Sequence, residues 1–336
     1  MMAAVMEAYG GAEAVLWKEV PTPKPGPNDV IVEVKAAGSN YNDVWARRGS
    51  PLQVALPHIF GSDFAGIVRE VGSAVRRVKV GDEVLNHCGI PALGNPEGQE
   101  HIIWGFDSGP MEGSHAQFAK IHQDNLLPKP KMLTWEEAAS LPLVLVTVWR
   151  QLVTKGGIRP GDFVLIWGAA GGIGSMAIQV CKVFRARPIA IASSDEKLAV
   201  CKELGAEFLI NRKTQDIHEE VRKIVGRRGV DIVFEHPGQA TINSSLRLTR
   251  WGGKVVISGA TSGYEGTIDL RHIFFRQVQL IGSTLGTVDE LRQAMKMVEA
   301  GVIKPTVHKV IPMSKAAEAY RVLEEDEAIG KVVLVP

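Results

Sequence analysis

FVLIWGAAGGIGSMAIQ, residues 163–179, decides the fold. An apolar run ends at Gly168, glycines recur at Gly171, Gly172 and Gly174, and an apolar helical pattern follows. That order reads as buried strand, tight loop and helix. Glycines have a physical use there. A backbone without Cβ can close on a pyrophosphate, and the helix start offers N–H groups and the positive end of its dipole. Gly168, Gly171, Gly172 and Gly174 are therefore candidate cofactor-binding residues. Ala169 stands where the strict dinucleotide fingerprint has its first glycine.

The pattern repeats outward from this loop. PIAIAS (188–193) reads as the next strand and DEKLAVCKELG (195–205) as the next helix. FLIN (208–211), VDIVFEH (230–236), GKVVISG (253–259) and VQLIGSTLG (278–286) continue the series. Strands alternating with helices mean a doubly wound, mostly parallel sheet. The second strand ends in Ser193-Ser194. A carboxylate there would accept from a ribose 2′-hydroxyl and repel a 2′-phosphate. The position is neutral, Lys197 follows within a turn, and Arg212 follows the next strand. This set favours NADPH over NADH. Ser194 also suits a helix cap, Lys197 also suits a solvated side chain, and Asp195 is a carboxylate close by.

The flanks differ from the middle. VIVEVKAAG (30–38) alternates apolar and polar residues, and FAGIVREVG (64–72) and GDEVLNHCG (81–89) repeat that look between glycines. Residues 1–125 are thus β-rich. TWEEAASLPLVLVTVWRQLV (134–153) opens a helix through the capping-box pair Thr134 and Glu137. Beyond 287 come a helix ending at Gly301 and a last strand, KVVLVP (331–336), expected to rejoin the first domain. The expected organisation is a β domain over 1–128, to which 287–336 returns, and a nucleotide-binding domain over 129–286.

Composition removes other classes. A chain of 336 residues suits two domains. Lys and Arg number 38 against 37 Asp and Glu, so bulk charge holds neither nucleic acid nor anionic lipid. Cys88, Cys181 and Cys201 are too few for a disulfide scaffold and fit a reducing cytosol. The apolar stretch LPLVLVTVW (141–149) is far short of the roughly twenty residues a membrane helix needs. A cytoplasmic protein with no membrane or nucleic-acid partner is expected.

GSDFAGIVREVGSAVRRVKVGDEV (61–84), the glycine loop and the order of the domains resemble the medium-chain dehydrogenase/reductase superfamily across nearly the whole chain. The resemblance implies an α/β protein with a GroES-like β domain and a Rossmann doubly wound parallel sheet. It also implies a homodimer or homotetramer, since the edge of the cofactor-domain sheet needs a cover. Zinc-holding members place Cys and a Gly-His-Glu triplet as ligands. Here NYND (40–43) and Gly61-Ser62-Asp63 stand in those places. Zinc prefers thiolate and imidazole, so no metal is expected. The adjacent His87 and Cys88 read as core.

A narrower resemblance rests on NYNDVWA (40–46), HIIWGFDSG (101–109), LLPKPKMLTWEEAA (126–139), VLIWGAAGGIGS (164–175) and above all VFEHPG (233–238). These are similar to the crotonyl-CoA carboxylase/reductase group and its non-carboxylating acryloyl-CoA reductase relatives. That implies hydride transfer from NADPH to the β carbon of an unsaturated acyl-CoA thioester. The enolate then takes a proton or carbon dioxide. By resemblance, carbon dioxide is held by residues that fall here on Asn42, Phe106, Asp107 and His236. Asp107 replaces a Glu, and the chain is more compact than the carboxylases, so protonation is expected to dominate. Each residue has a plainer reading. Asn42 suits a turn, His236 a structural position at a strand end, and Phe106, Trp104 and Tyr41 the core. Tyr264 is a candidate wall. Two other functions stand beside this one: a zinc-free quinone or enone reductase, and a non-catalytic NADPH-binding protein of the same fold.

Overall fold

The computed structural model describes residues 1–50, 53–91, 101–106 and 108–336. The chain builds two units, one of Met1–Leu143, Thr287–Met295 and Pro305–Pro336, the other of Val144–Gly286 and Lys296–Lys304. The first unit runs past 128 because the segment after it stays bound there. Thr134 and Glu137 close the capping box of helix Trp135–Ala139, and the Leu143 N–H donates to Asp63 Oδ1 at 2.9 Å.

The second unit is a parallel sheet in the order Phe208–Asn211, Arg187–Ala192, Phe163–Ile166, Val230–Glu235, Thr249–Ile257, Gln279–Gly282. The central strands are buried on both faces, which explains their unbroken apolar runs. Leu165, Ile189, Ile191, Val233 and Val255 form the core between sheet and helices. The chain order reverses at Phe163–Ile166, and the carboxyl end of a strand at such a reversal is where open α/β sheets bind ligands. Gln279–Gly282 is the open edge, and Trp251, Leu270, Phe274 and Phe275 are exposed apolar side chains of the same unit.

In the first unit, strand Asp29–Gly38 pairs antiparallel with Asp63–Val71 and with Phe118–His122. Lys331–Val335 pairs with its carboxyl end through Val333 opposite Gly38. The last strand thus pairs within the first unit. Three places come together at this junction: Gly38, Asp63 and the closing strand. His87 and Cys88 are buried, with His87 Nδ1 2.9 Å from the Gly89 carbonyl. Trp104 is core: it is buried, meets Phe64 edge-on and donates its indole N–H to the Lys120 carbonyl. No helix among the described residues is long and apolar enough to cross a membrane.

Candidate functional site

In the second unit, the strand ending at Ile166 passes through Trp167 into the glycine loop. Gly168 has φ +54°, in the left-handed region that costs other residues a clash. A Cβ at Gly174 would stand 2.4 Å from the Gly168 carbonyl oxygen, so only glycine lets helix Gly172–Val183 come so close to the loop. Gly171 is the N-cap and has no side chain to satisfy the first N–H groups of that helix. Backbone donors, a bare cap and a loop of small, uncharged residues fit the phosphates of a dinucleotide.

His236 follows strand Val230–Glu235, beside this loop. Its Nε2 lies 2.9 Å from the Trp167 carbonyl oxygen. A carbonyl can only accept, so Nε2 carries a proton, and in the neutral ring the lone pair is on Nδ1. A Cβ on Gly168 would be 3.0 Å from the imidazole, so loop and histidine are in contact. The neighbouring Glu235 holds the turn. Its carboxylate accepts from the Gly238 N–H at 3.0 Å, from Thr241 Oγ1 at 2.7 Å, and from the Ser245 hydroxyl. Ser245 Oγ in turn accepts the Trp167 indole N–H at 2.8 Å. Burial pushes the Glu235 carboxyl above its ordinary pKa, and these donors oppose the shift. Sequence reasoning chose the FEHPG segment for its histidine and missed Glu235 and Ser245. The available signal was a carboxylate at the end of an otherwise apolar buried strand.

At the carboxyl ends of the next two strands, Ser193 follows strand Arg187–Ala192, and Arg212 follows the adjacent strand, with its N–H on the Ala192 carbonyl. The two strand ends therefore lie side by side. Ser194 is a helix cap, its hydroxyl accepting from the Lys197 N–H at 3.3 Å. The Asp195 carboxylate is engaged by the Asn211 amide at 2.8 Å.

The first unit carries Asn42, on helix Tyr41–Arg48. Its Nδ2 donates to Ser62 Oγ at 3.1 Å, and its Oδ1 is buried with no partner among the described residues. Phe106 is packed into the core of this unit. Asp107 lies outside the described residues. Tyr41 meets Trp45 edge-on, and Tyr264 of the second unit is exposed.

Around Asn42 the junction is charged. Asn40 Nδ2 donates to Asp63 Oδ2 at 2.9 Å, and its backbone N–H donates to Asp43 Oδ2 at 2.8 Å. Lys331 donates to the Ser39 carbonyl at 2.7 Å and to Asn40 Oδ1, and lies 3.7 Å from Asp63 Oδ2. Asp43, Asp63 and Lys331 are all buried. Burial lifts Asp43 to about 7 and raises Asp63, while it lowers Lys331. Cys88 is pushed well above its ordinary value, by burial first and Asp63 next.

A scan of family models matches residues 26–131 to the alcohol dehydrogenase GroES-like domain and residues 172–300 to the zinc-binding dehydrogenase family. The chain is 36% identical to the crotonyl-CoA reductase of Streptomyces collinus, over 94% of this chain and 80% of that one. It belongs to the medium-chain dehydrogenase/reductase superfamily. Within that superfamily of oxidoreductases it is also 30% identical to the acryloyl-coenzyme A reductase of Sulfurisphaera tokodaii, over 95% of this chain and 96% of the relative. Among solved structures, a crotonyl-CoA carboxylase/reductase, AntE, in complex with NADP superposes with TM-score 0.91 at 33% identity, covering 100% of this chain and 94% of that one. An NAD-dependent alcohol dehydrogenase superposes with TM-score 0.94 at 40% identity, covering 100% of each.

The zinc implied by one family description does not suit these residues. Asn40, Ser62 and Asp63 offer one carboxylate among neutral oxygens, and an ammonium already contacts two of the three. Among the described residues no group of three His, Cys, Asp or Glu side chains is placed to hold a metal.

Proposed function

We propose that this protein is an NADPH-dependent 2-enoyl-CoA reductase for short acyl groups of the acryloyl or crotonyl kind. The observation that carries the reading is the contact of His236 with Gly168. It sets the histidine of FEHPG against the nucleotide loop, in a chain whose relatives include reductases of crotonyl- and acryloyl-CoA. When bound, NADPH supplies the hydride. The chain's own residues then have three tasks. The loop from Gly168 to Gly174 holds the phosphates with backbone N–H groups. Ser193, Lys197 and Arg212 admit a 2′-phosphate where a carboxylate would repel it. His236, its Nε2 proton directed at Trp167, stands against the loop as a group able to take up and pass on a proton.

Asn42 supports the same reading. The Ser62 hydroxyl can donate as well as accept, so the Asn42 amide can turn and place Nδ2 where its buried Oδ1 now lacks a partner. That would supply a donor for an enolate oxygen. Protonation is the main fate of the enolate in this reading, with reductive carboxylation a minor product. A second copy of the chain covers the open Gln279–Gly282 edge.

The test is product analysis by mass spectrometry with crotonyl- and acryloyl-CoA, NADPH and labelled bicarbonate. Sedimentation of the same preparation should give a dimer or tetramer mass. Saturated acyl-CoA as the main product supports the proposal. Ethylmalonyl- or methylmalonyl-CoA as the main product makes the protein a carboxylase. NADPH consumption with benzoquinone but with no acyl-CoA makes it a quinone reductase. A monomer at micromolar concentration removes the second copy.

A further inference from the structure

We propose that the Lys331 ammonium is the built-in cation of the first unit, taking the electrostatic role that a metal ion has in zinc-holding relatives, and that it positions Asn42 through Asn40. The positioning of a substrate-facing residue rests on the enoyl reductase reading; the role as internal cation does not.

Three observations converge on Lys331. It is buried, yet its ammonium is not stranded: it meets the Ser39 carbonyl, Asn40 Oδ1 and, at 3.7 Å, Asp63. Asn40 is polarised from both ends, its oxygen on the ammonium and its Nδ2 on the Asp63 carboxylate at 2.9 Å. Neither charged group can exchange roles, so the amide orientation is set by chemistry alone. Asn40 is also the N-cap of helix Tyr41–Arg48, and its backbone N–H is held by Asp43. Asn42 is the second residue of that helix and bonds to Ser62, the neighbour of Asp63.

Two carboxylates buried this close repel each other and resist burial unless a cation lies among them. In a metal site the ion supplies that charge and gathers its ligands. Here Asn40 and Asp63 are gathered on an ammonium delivered by the closing strand. A divalent ion would have to expel Lys331 first.

The test uses the full chain. Wild type dialysed after incubation with zinc should retain substoichiometric metal, and chelator should leave its activity intact. Lys331→Met should lower kcat on crotonyl-CoA by on the order of tenfold to a hundredfold, the cost of a small misplacement. Its Kd for NADPH, read by fluorescence, should be unchanged. Lys331→Ala should regain turnover with added propylammonium, saturably, because the amine replaces the missing chain end. A purely space-filling lysine would respond equally to 1-propanol, which fills the same volume without the charge.

If Lys331→Met does not fold, the double variant Lys331→Met/Asp63→Asn, with both charges gone, should fold and melt higher than the single. One zinc per chain in wild type, a Lys331→Met enzyme with the wild-type rate, or a double variant no more stable than the single would each overturn the proposal. If wild type turns over no acyl-CoA, the functional reading fails. Metal content and the paired melting temperatures still decide the role of Lys331.

Discussion

In the second unit, the loop around Gly168 is built from backbone and neutral groups. In the first, the junction around Gly38 buries a lysine, two aspartates and an asparagine. The loop needs no charge of its own because its ligand would bring phosphates, and helix N–H groups suffice for them. The junction has no such guest and must balance its charges internally. One region is therefore sensitive to shape, the other to protonation and to loss of a partner.

Gly174→Val tests the shape side most severely. The new Cβ would lie 2.4 Å from a backbone oxygen that has no rotamer to move to. NADPH affinity should fall by at least about a hundredfold, since the whole loop must shift. A fluorescence titration measures it. Unchanged affinity would mean that the loop is plastic and that the contrast between the units is false.

His115 tests the other side. It is buried in the first unit with Nδ1 2.8 Å from the Tyr320 hydroxyl, and burial lowers its pKa from 6.5 to about 3. The unfolded chain takes up a proton below pH 6.5 that the folded chain refuses. The stability due to the neutral ring is thus present above 6.5 and is lost as the pH falls toward about 3. Asp43, raised from 3.8 to about 7, acts in the opposite sense: its contribution is complete below 3.8 and lost as pH rises through about 7. Comparing wild type with His115→Gln isolates the histidine. Urea unfolding at pH 7 and pH 5 should show wild type losing about 2 kcal/mol relative to the variant. Parallel pH profiles would show that the ring does not resist protonation.

Ser193→Asp is the mildest change, because it alters specificity and leaves the frame alone. Wild type should prefer NADPH by at least about tenfold, the worth of one charge-assisted phosphate contact. The variant should reverse that preference. Steady-state kinetics with both cofactors measure it, and equal Michaelis constants in wild type would show that Ser193 and Arg212 do not read the phosphate.

The same contrast explains what could be read from the sequence. The glycine loop, its strand and its helix are contiguous, so Gly168 and Gly174 declare themselves by spacing. Thr134 and Glu137 do the same for their helix. His236 stood out through a short motif at a strand end. Lys331 gave no sign: it precedes an apolar run and looks like an ordinary strand-end lysine, while its partners Ser39 and Asn40 lie 292 and 291 residues earlier. Only pairing of the closing strand brings them together. Phe106 shows a different limit, since an aromatic residue beside a glycine reads alike whether it packs a core or walls a pocket. The structure puts it in the core of its unit.

The late position of Lys331 also has a consequence for how the chain is made. A ribosome adding about 5 to 20 residues per second needs roughly 15 to 60 s to go from Asn40 to Lys331. For all that time Asp43 and Asp63 exist without their counter-ion, and the strand that seals their unit is still unsynthesised. The second unit, whose parallel strands between 163 and 282 are complete well before then, is free to form first. The earliest residues translated would thus be among the last to settle, and the nascent chain would present an open, acidic half to the cell's chaperones until its final strand emerged.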